Sequence, residues 1–229
     1  MATDQTAAGL STSTTNTTNF TISARDREII RRLASQVAEL AARPVEEEKK
    51  DLWYRHNSLE PTRPLVFCDP ENGWNEIVTP ESLECKGEMV RWWEMHLRKE
   101  IFWGSEMKDD RVIEPFFNVG YACSETDWGL RETRTGGEDN GAYTWEAPIK
   151  DYTTDLDRLR APEITVDLEA TAEMKQFAEQ VLGDILTVRV KQSWWWSNGM
   201  TWRAVCLRGL EQFMFDMFDY PEELHRLMA

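Results

Sequence analysis

Short apolar runs set between long amphipathic stretches constrain this chain more than any other feature. Three runs, at residues 64–68, 113–119 and 185–190, carry the β-branched and aromatic bulk of buried strands, and each is bounded by charged or turn-forming neighbours. Helix-period segments lie before and between them. Strands that alternate with helices pair in parallel through right-handed crossovers, which predicts an α/β fold with either a doubly wound sheet or a (β/α) barrel. Three parallel strands are too few to close a barrel, and the open edge leaves backbone groups unpaired. The expectation from the pattern is an α/β fold with leading N-terminal helices and an unfinished sheet, either doubly wound or part of a (β/α) barrel.

The leading helices have their own signals. Ser23 with Asp26 resembles a capping box, and Ile29, Leu33, Val37 and Leu40 recur at spacings of three and four. Pro44 suits the first turn of a second helix, whose Glu46, Glu47 and Glu48 complement the positive end of its dipole, with Leu52 and Trp53 as its apolar face. Between residues 81 and 103, Met89, Trp93, Leu97 and Ile101 repeat every four residues until Gly104 closes the segment. Asp167 opens a further helix carrying Leu168, Met174, Phe177 and Val181, and Gly183 closes it as a left-handed residue. From Met200 to Met217 one stripe holds Val205, Cys206, Leu210, Phe213, Met214 and Met217. Asp219-Tyr220-Pro221-Glu222 then starts a last helix. Residues 121–162 are rich in Gly, Asp and Asn and read as a long loop or small hairpin excursion.

Residues 1–22 are Thr-, Ser- and Asn-rich and read as a disordered tail, leaving 23–229 as the folded part. Asn16 and Asn19 stand in N-x-Thr triplets, which chance explains in such a tail. No apolar run approaches the ~20 residues that cross a bilayer, and no secretory signal opens the chain, so a cytoplasmic protein without a membrane partner is expected. The net charge of −15, from 41 acidic against 26 basic residues, disfavours nucleic acid, because phosphate neutralisation needs a basic surface. Cys68, Cys85, Cys123 and Cys206 form no Cys-x-x-Cys pair and read as reduced thiols. His56, His96 and His225 lie in three separate segments with no second ligand at metal spacing, so no metal site is expected within this chain. Phosphate loops, nucleophile elbows and dinucleotide fingerprints are absent from the sequence.

Parallel α/β folds place ligands at the carboxyl ends of their strands, and that rule selects the candidate residues. Asp69, Asn118, Lys191 and Gln192 follow or end the three strands, and Asp69 also suits a turn cap. Trp194 and Trp196, in the run Trp194-Trp195-Trp196, suit a flat or apolar ligand, although three adjacent indoles cannot all face one way. Arg203 lies one turn into the next helix, placed for an anionic group or a surface acid. Together they are read as the lining of a small-molecule substrate site, with no catalytic residue identified.

The segment 207–228, from Leu207-Arg208-Gly209-Leu210-Glu211-Gln212 through Asp219-Tyr220-Pro221-Glu222-Glu223-Leu224-His225, resembles the uroporphyrinogen decarboxylase superfamily. Arg25-Asp26-Arg27-Glu28-Ile29-Ile30 and Arg63-Pro64-Leu65-Val66 are similar to other parts of that family's N-terminal region. The resemblance implies a partial (β/α)8 TIM-type barrel of which this chain is the N-terminal portion, and two activities: cofactor-free porphyrinogen decarboxylation, or methyl transfer with a corrinoid at a zinc-thiolate site. The decarboxylase pattern implies an arginine-bearing loop after the first strand. Here that loop, Cys68-Asp69-Pro70-Glu71-Asn72-Gly73-Trp74, holds two acids and no cation, and like charges repel a polyanionic substrate. Methyl transfer is therefore the leading expectation, with a methylated small molecule or a corrinoid protein as partner and with zinc and corrinoid belonging to the completed protein. A non-catalytic half-barrel scaffold or partner-binding protein is the alternative from another class, and uroporphyrinogen decarboxylation is a further alternative that ranks below methyl transfer.

Overall fold

A computed structural model describes residues 20–137, 142–192 and 199–229. Over these residues the chain is a mixed helix and strand protein that divides into two compact units. One comprises residues 20–121 with 168–192, and the other 122–137 and 142–167 with 199–229. The sequence had suggested one body from residue 23 onward. The tail reading at residues 1–19, with Asn16 and Asn19, lies outside the described residues, whereas Phe20 stacks on Phe177 and Ile22 packs against the core.

In the first unit, α1 (Ala24–Ala41) starts where expected, its Ser23 hydroxyl accepting from the Asp26 N–H at 3.0 Å. The Asp26 carboxylate turns instead to the Lys86 N–H. Ile29, Ile30, Leu33, Ala34 and Val37 are buried. Helix α2 (Pro44–Asn57) has proline in its first turn as read, yet its one buried residue is Glu46. Glu46 accepts from the Arg43 guanidinium at 2.6 Å and from the Ile113 N–H at 2.8 Å, which satisfies a carboxylate that burial alone would penalise. The short helix α3 (Trp74–Ile77) follows.

Residues 64–68 are not a strand. The Val66 N–H donates to Asp110 Oδ2 and the Cys68 N–H to Asp109 Oδ2, while the Val66 carbonyl accepts from the Asp110 N–H. Two carboxylates thus take the donors that a ladder would use, and Arg63 grips Asp110 through a two-pronged pair.

The expected helix at 81–103 begins later, as α4 (Glu88–Phe102). The reason is Glu94, fully buried, which accepts from the Glu84 and Cys85 N–H groups and so holds that segment out of the helix. Val90, Trp93 and Leu97 face the core. Gly104 does not end the helix, which continues through a wider π-turn to Met107. A Cβ at Gly104 would meet Leu40 Cδ1 at 3.0 Å and Ile113 Cγ1 at 3.1 Å, so close packing explains the glycine.

The two remaining strands form within the expected runs 113–119 and 185–190 but are shorter, and they pair in parallel: β1 (Phe116–Val119) lies beside the strand Thr187–Val190, with Phe117 opposite Val188 and Asn118 opposite Arg189. Between them the chain makes the excursion expected of residues 121–162, but with more order. It leaves through β2 (Ala122–Glu125), forms the hairpin β3 (Thr133–Gly136) and β4 (Tyr143–Glu146), and passes the short helix α5 (Tyr152–Asp155). It returns through β5 (Ile164–Asp167), which is antiparallel to β2. Helix α6 (Leu168–Leu182) then leads to β6 (Thr187–Val190). Gly183 is not left-handed; the Glu179 carbonyl oxygen would lie 2.6 Å from a Cβ there, and this excludes a side chain.

Phe117, Val119 and Val188 are buried with the core residues of α1, α4 and α6, and Trp93 meets Phe117 edge-on at 5.2 Å between ring centres. The second unit holds two smaller apolar clusters, one around Leu130, Ile149, Tyr152 and Leu207, the other around Ala204, Val205 and Phe213. The single stripe read from Met200 to Met217 is two helices, α7 (Thr201–Arg208) and α8 (Leu210–Asp219). Gly209 breaks them with φ 90° and ψ 137°, a region open essentially to glycine. Consequently Val205, Cys206 and Phe213 are buried while Leu210, Met214 and Met217 are exposed. Helix α9 (Pro221–Met228) starts at its proline as expected. No helix among the described residues is long and apolar enough to cross a membrane.

Candidate functional site at the carboxyl end of the parallel strands

Alternation along β1 and β6 sorts their side chains onto two faces. Phe117, Val119 and Val188 point to the helices, which leaves Phe116, Asn118, Thr187 and Arg189 on the opposite face. That second face is polar and half-exposed. Arg189 Nε donates to Asn118 Oδ1 at 2.6 Å, its guanidinium stacks 3.9 Å from the Phe116 ring centre, and its NH2 lies 3.4 Å from Glu114 Oε2. The Lys191 N–H donates to the Val119 carbonyl at 2.9 Å, so the ladder extends one step past β6 and carries Lys191 onto the same face as Arg189.

Of the residues selected from sequence, Asn118, Lys191 and Gln192 are therefore at one strand end. Asp69 is engaged in its own turn, where its Oδ1 accepts from the Glu71 N–H at 3.0 Å and from Trp74 Nε1 at 2.9 Å. This is the turn-cap role. Arg203 lies exposed in the first turn of α7, in the other compact unit. Trp194 and Trp196 lie outside the described residues. Arg189 and Glu114 were missed by sequence reasoning. Arg189 sits inside the strongest strand run between Val188 and Val190, and that lone charged residue at an alternate position was the available signal.

The cluster around Asp216 is a closed structural network. Asp216 is fully buried and accepts from Arg208 Nε at 2.6 Å, from Gln212 Nε2 at 2.8 Å and from the Tyr152 hydroxyl at 2.5 Å. Burial, then the Asp216 carboxylate, pushes the Tyr152 phenol well up. Burial, followed by the neighbouring Glu94, pushes the Cys85 thiol up to about 12. His96 is lowered by burial, beside Trp92 and edge-on to Phe117. Among the described residues no three His, Cys, Asp or Glu side chains are grouped to hold a metal ion. Burial raises the Cys85 and Cys206 thiols, Cys68 and Cys123 are exposed, and none of the four belongs to a group of three ligands, so the described residues do not by themselves build a zinc-thiolate centre.

Comparison of the chain with protein-family models, with curated proteins and with solved structures finds no match.

Proposed function

We propose that the chain is the N-terminal portion of a uroporphyrinogen decarboxylase-like barrel of the methyltransferase type. In this reading it supplies part of a pocket for a methylated small molecule or a corrinoid at the carboxyl ends of its parallel strands. The observation that carries the reading is the β1–β6 pair: one face packs on helices, and the other presents Asn118, Arg189 and Glu114, as the inward face of a (β/α) barrel would. A parallel pair is stable only within a larger covered sheet, and further strands complete it in the proposed whole protein.

Methyl transfer ranks above porphyrinogen decarboxylation in this reading because residues 68–74, where the resemblance expects an arginine-bearing loop, carry acids, although residues 64–68 before them are not a strand. Asp69 and Glu71 bring negative charge there, and Arg63, the cation just upstream, is committed to Asp110. Zinc and corrinoid belong to the completed protein in this reading; bound corrinoid supplies a transferable methyl group. The described residues orient the substrate through the Asn118 carboxamide and the Arg189 guanidinium, and Phe116 contributes apolar surface.

The test incubates the whole protein with methylcobalamin and a small thiol and follows the loss of the cobalt–carbon absorbance. Turnover is expected, and Asn118→Ala slows it by about tenfold, the worth of one lost charge-assisted hydrogen bond. No turnover, with release of carbon dioxide from a porphyrinogen instead, would replace this reading with the decarboxylase.

A further inference from the structure

We infer that Arg189, assisted by Lys191, is a recognition site for a carboxylate on the substrate, with Glu114 standing in its place when no substrate is bound. The inference rests on the polar face of β1 and β6 being the substrate side. Three features prepare Arg189 for this role. Its Nε–H is held by Asn118 at 2.6 Å and its plane lies against Phe116 at 3.9 Å, so the fork is oriented before any ligand arrives. The side chain keeps 33% of its exposure, which leaves it accessible. Its NH2 meets the Glu114 carboxylate at 3.4 Å, longer than the 2.7–2.9 Å of a settled charge-assisted bond.

Glu114 retains 40% exposure and lies just before β1, with water as an alternative partner. A loosely held, half-exposed carboxylate beside a rigidly held guanidinium marks a position that an incoming carboxylate can take by exchange. Lys191, two residues beyond Arg189 on the same face, adds a second cation at the strand end. In a chain whose net charge is −15, two cations on one strand face are a local exception that attracts an anion of modest charge. A carboxylate group, which brings one charge to Arg189 even in a dicarboxylate such as succinate, fits better than phosphate, which concentrates up to about two charges on one group beside the displaced Glu114.

The test measures binding of succinate to the whole protein by calorimetric titration, with succinamide as the neutral isostere and inorganic phosphate as a third arm. Succinate is expected to bind at least about tenfold more tightly than succinamide, the size of a charge-assisted pair. Arg189→Gln removes that preference, Arg189→Lys keeps part of it, and Lys191→Gln weakens it by about threefold. Glu114→Gln removes the competitor and tightens succinate binding severalfold, an effect that a purely structural Arg189 would not produce. Equal binding of succinate and succinamide, an unchanged affinity in Glu114→Gln, or tighter binding of phosphate than of succinate would each overturn the carboxylate assignment. Failure of the two ideas is separable: methyl transfer to carboxylated and neutral thiols at the same rate in wild type and Arg189→Gln sinks the inference alone. Tight succinate binding without any methyl transfer sinks the activity alone.

Discussion

Individual carboxylates do much of the structural work in this protein, and their pairing makes them testable. Asp216 is completely buried with Arg208, whose side chain is 6% exposed. Asp216→Ala leaves that guanidinium buried without its counter-charge, and a loss of about 3–5 kcal/mol in urea-monitored stability is expected. The Arg63 guanidinium holds the Asp110 carboxyl down to about 2, against the pull of burial in the opposite direction. Because the folded-state value is depressed, the ionised pair stabilises the fold above the unfolded value, about 3.9, and that stability is lost as pH falls from there towards about 2. An acid titration of Asp110→Asn followed by circular dichroism should lack this component and show a flatter profile below pH ~4. The thiols divide as sharply: Cys68 and Cys123 are exposed, Cys85 and Cys206 buried and raised. A thiol-exchange reagent at pH ~8 should titrate Cys68 and Cys123 rapidly and the other two only on unfolding.

At the scale of elements, the boundaries are set by interactions that helix and strand patterns do not encode. Helix α4 was legible from its four-residue repeat, yet its start moved because Glu94 captures the Glu84 and Cys85 amides from one turn and more away. Residues 64–68 have the composition of a strand and are held by Asp109 and Asp110 instead. The break between α7 and α8 depends on Gly209. A Cβ there would meet Ala147 Cβ at an ordinary 3.6 Å, so the penalty of Gly209→Ala is one of backbone conformation, about 1–3 kcal/mol. Urea unfolding of that variant, followed through the tryptophans, measures it.

For the whole molecule, the decisive feature is that each compact unit has its own apolar core. Residues around Phe117 and Trp93 serve one, and those around Ile149, Leu207 and Phe213 serve the other. Scanning calorimetry should therefore resolve two transitions, with Asp216→Ala lowering one and Phe117→Ala, a deletion costing about 3–5 kcal/mol, lowering the other. A single transition shifted equally by both substitutions would count against separate cores. The candidate site illustrates how far pattern reading reaches at this scale. The placement of Asn118 and Lys191 at strand ends was legible from the strand runs, whereas the pairing of Arg189 with Glu114 was not, because it is a distance between residues 75 apart in sequence.

By itself the sequence determined the helix-forming stripes of α1, α4 and α6, the β-bulk of residues 116–119 and 187–190, and the acidic balance of the chain. These follow from local periodicity and charge, which need no knowledge of neighbours. Only the tertiary structure decided the register in which 116–119 and 187–190 pair, that 64–68 do not join them, and which polar side chains share a face. Those outcomes depend on which distant acceptor reaches a backbone N–H, and a carboxylate such as Glu94 or Asp110 competes for such N–H groups without leaving any periodic trace in the chain.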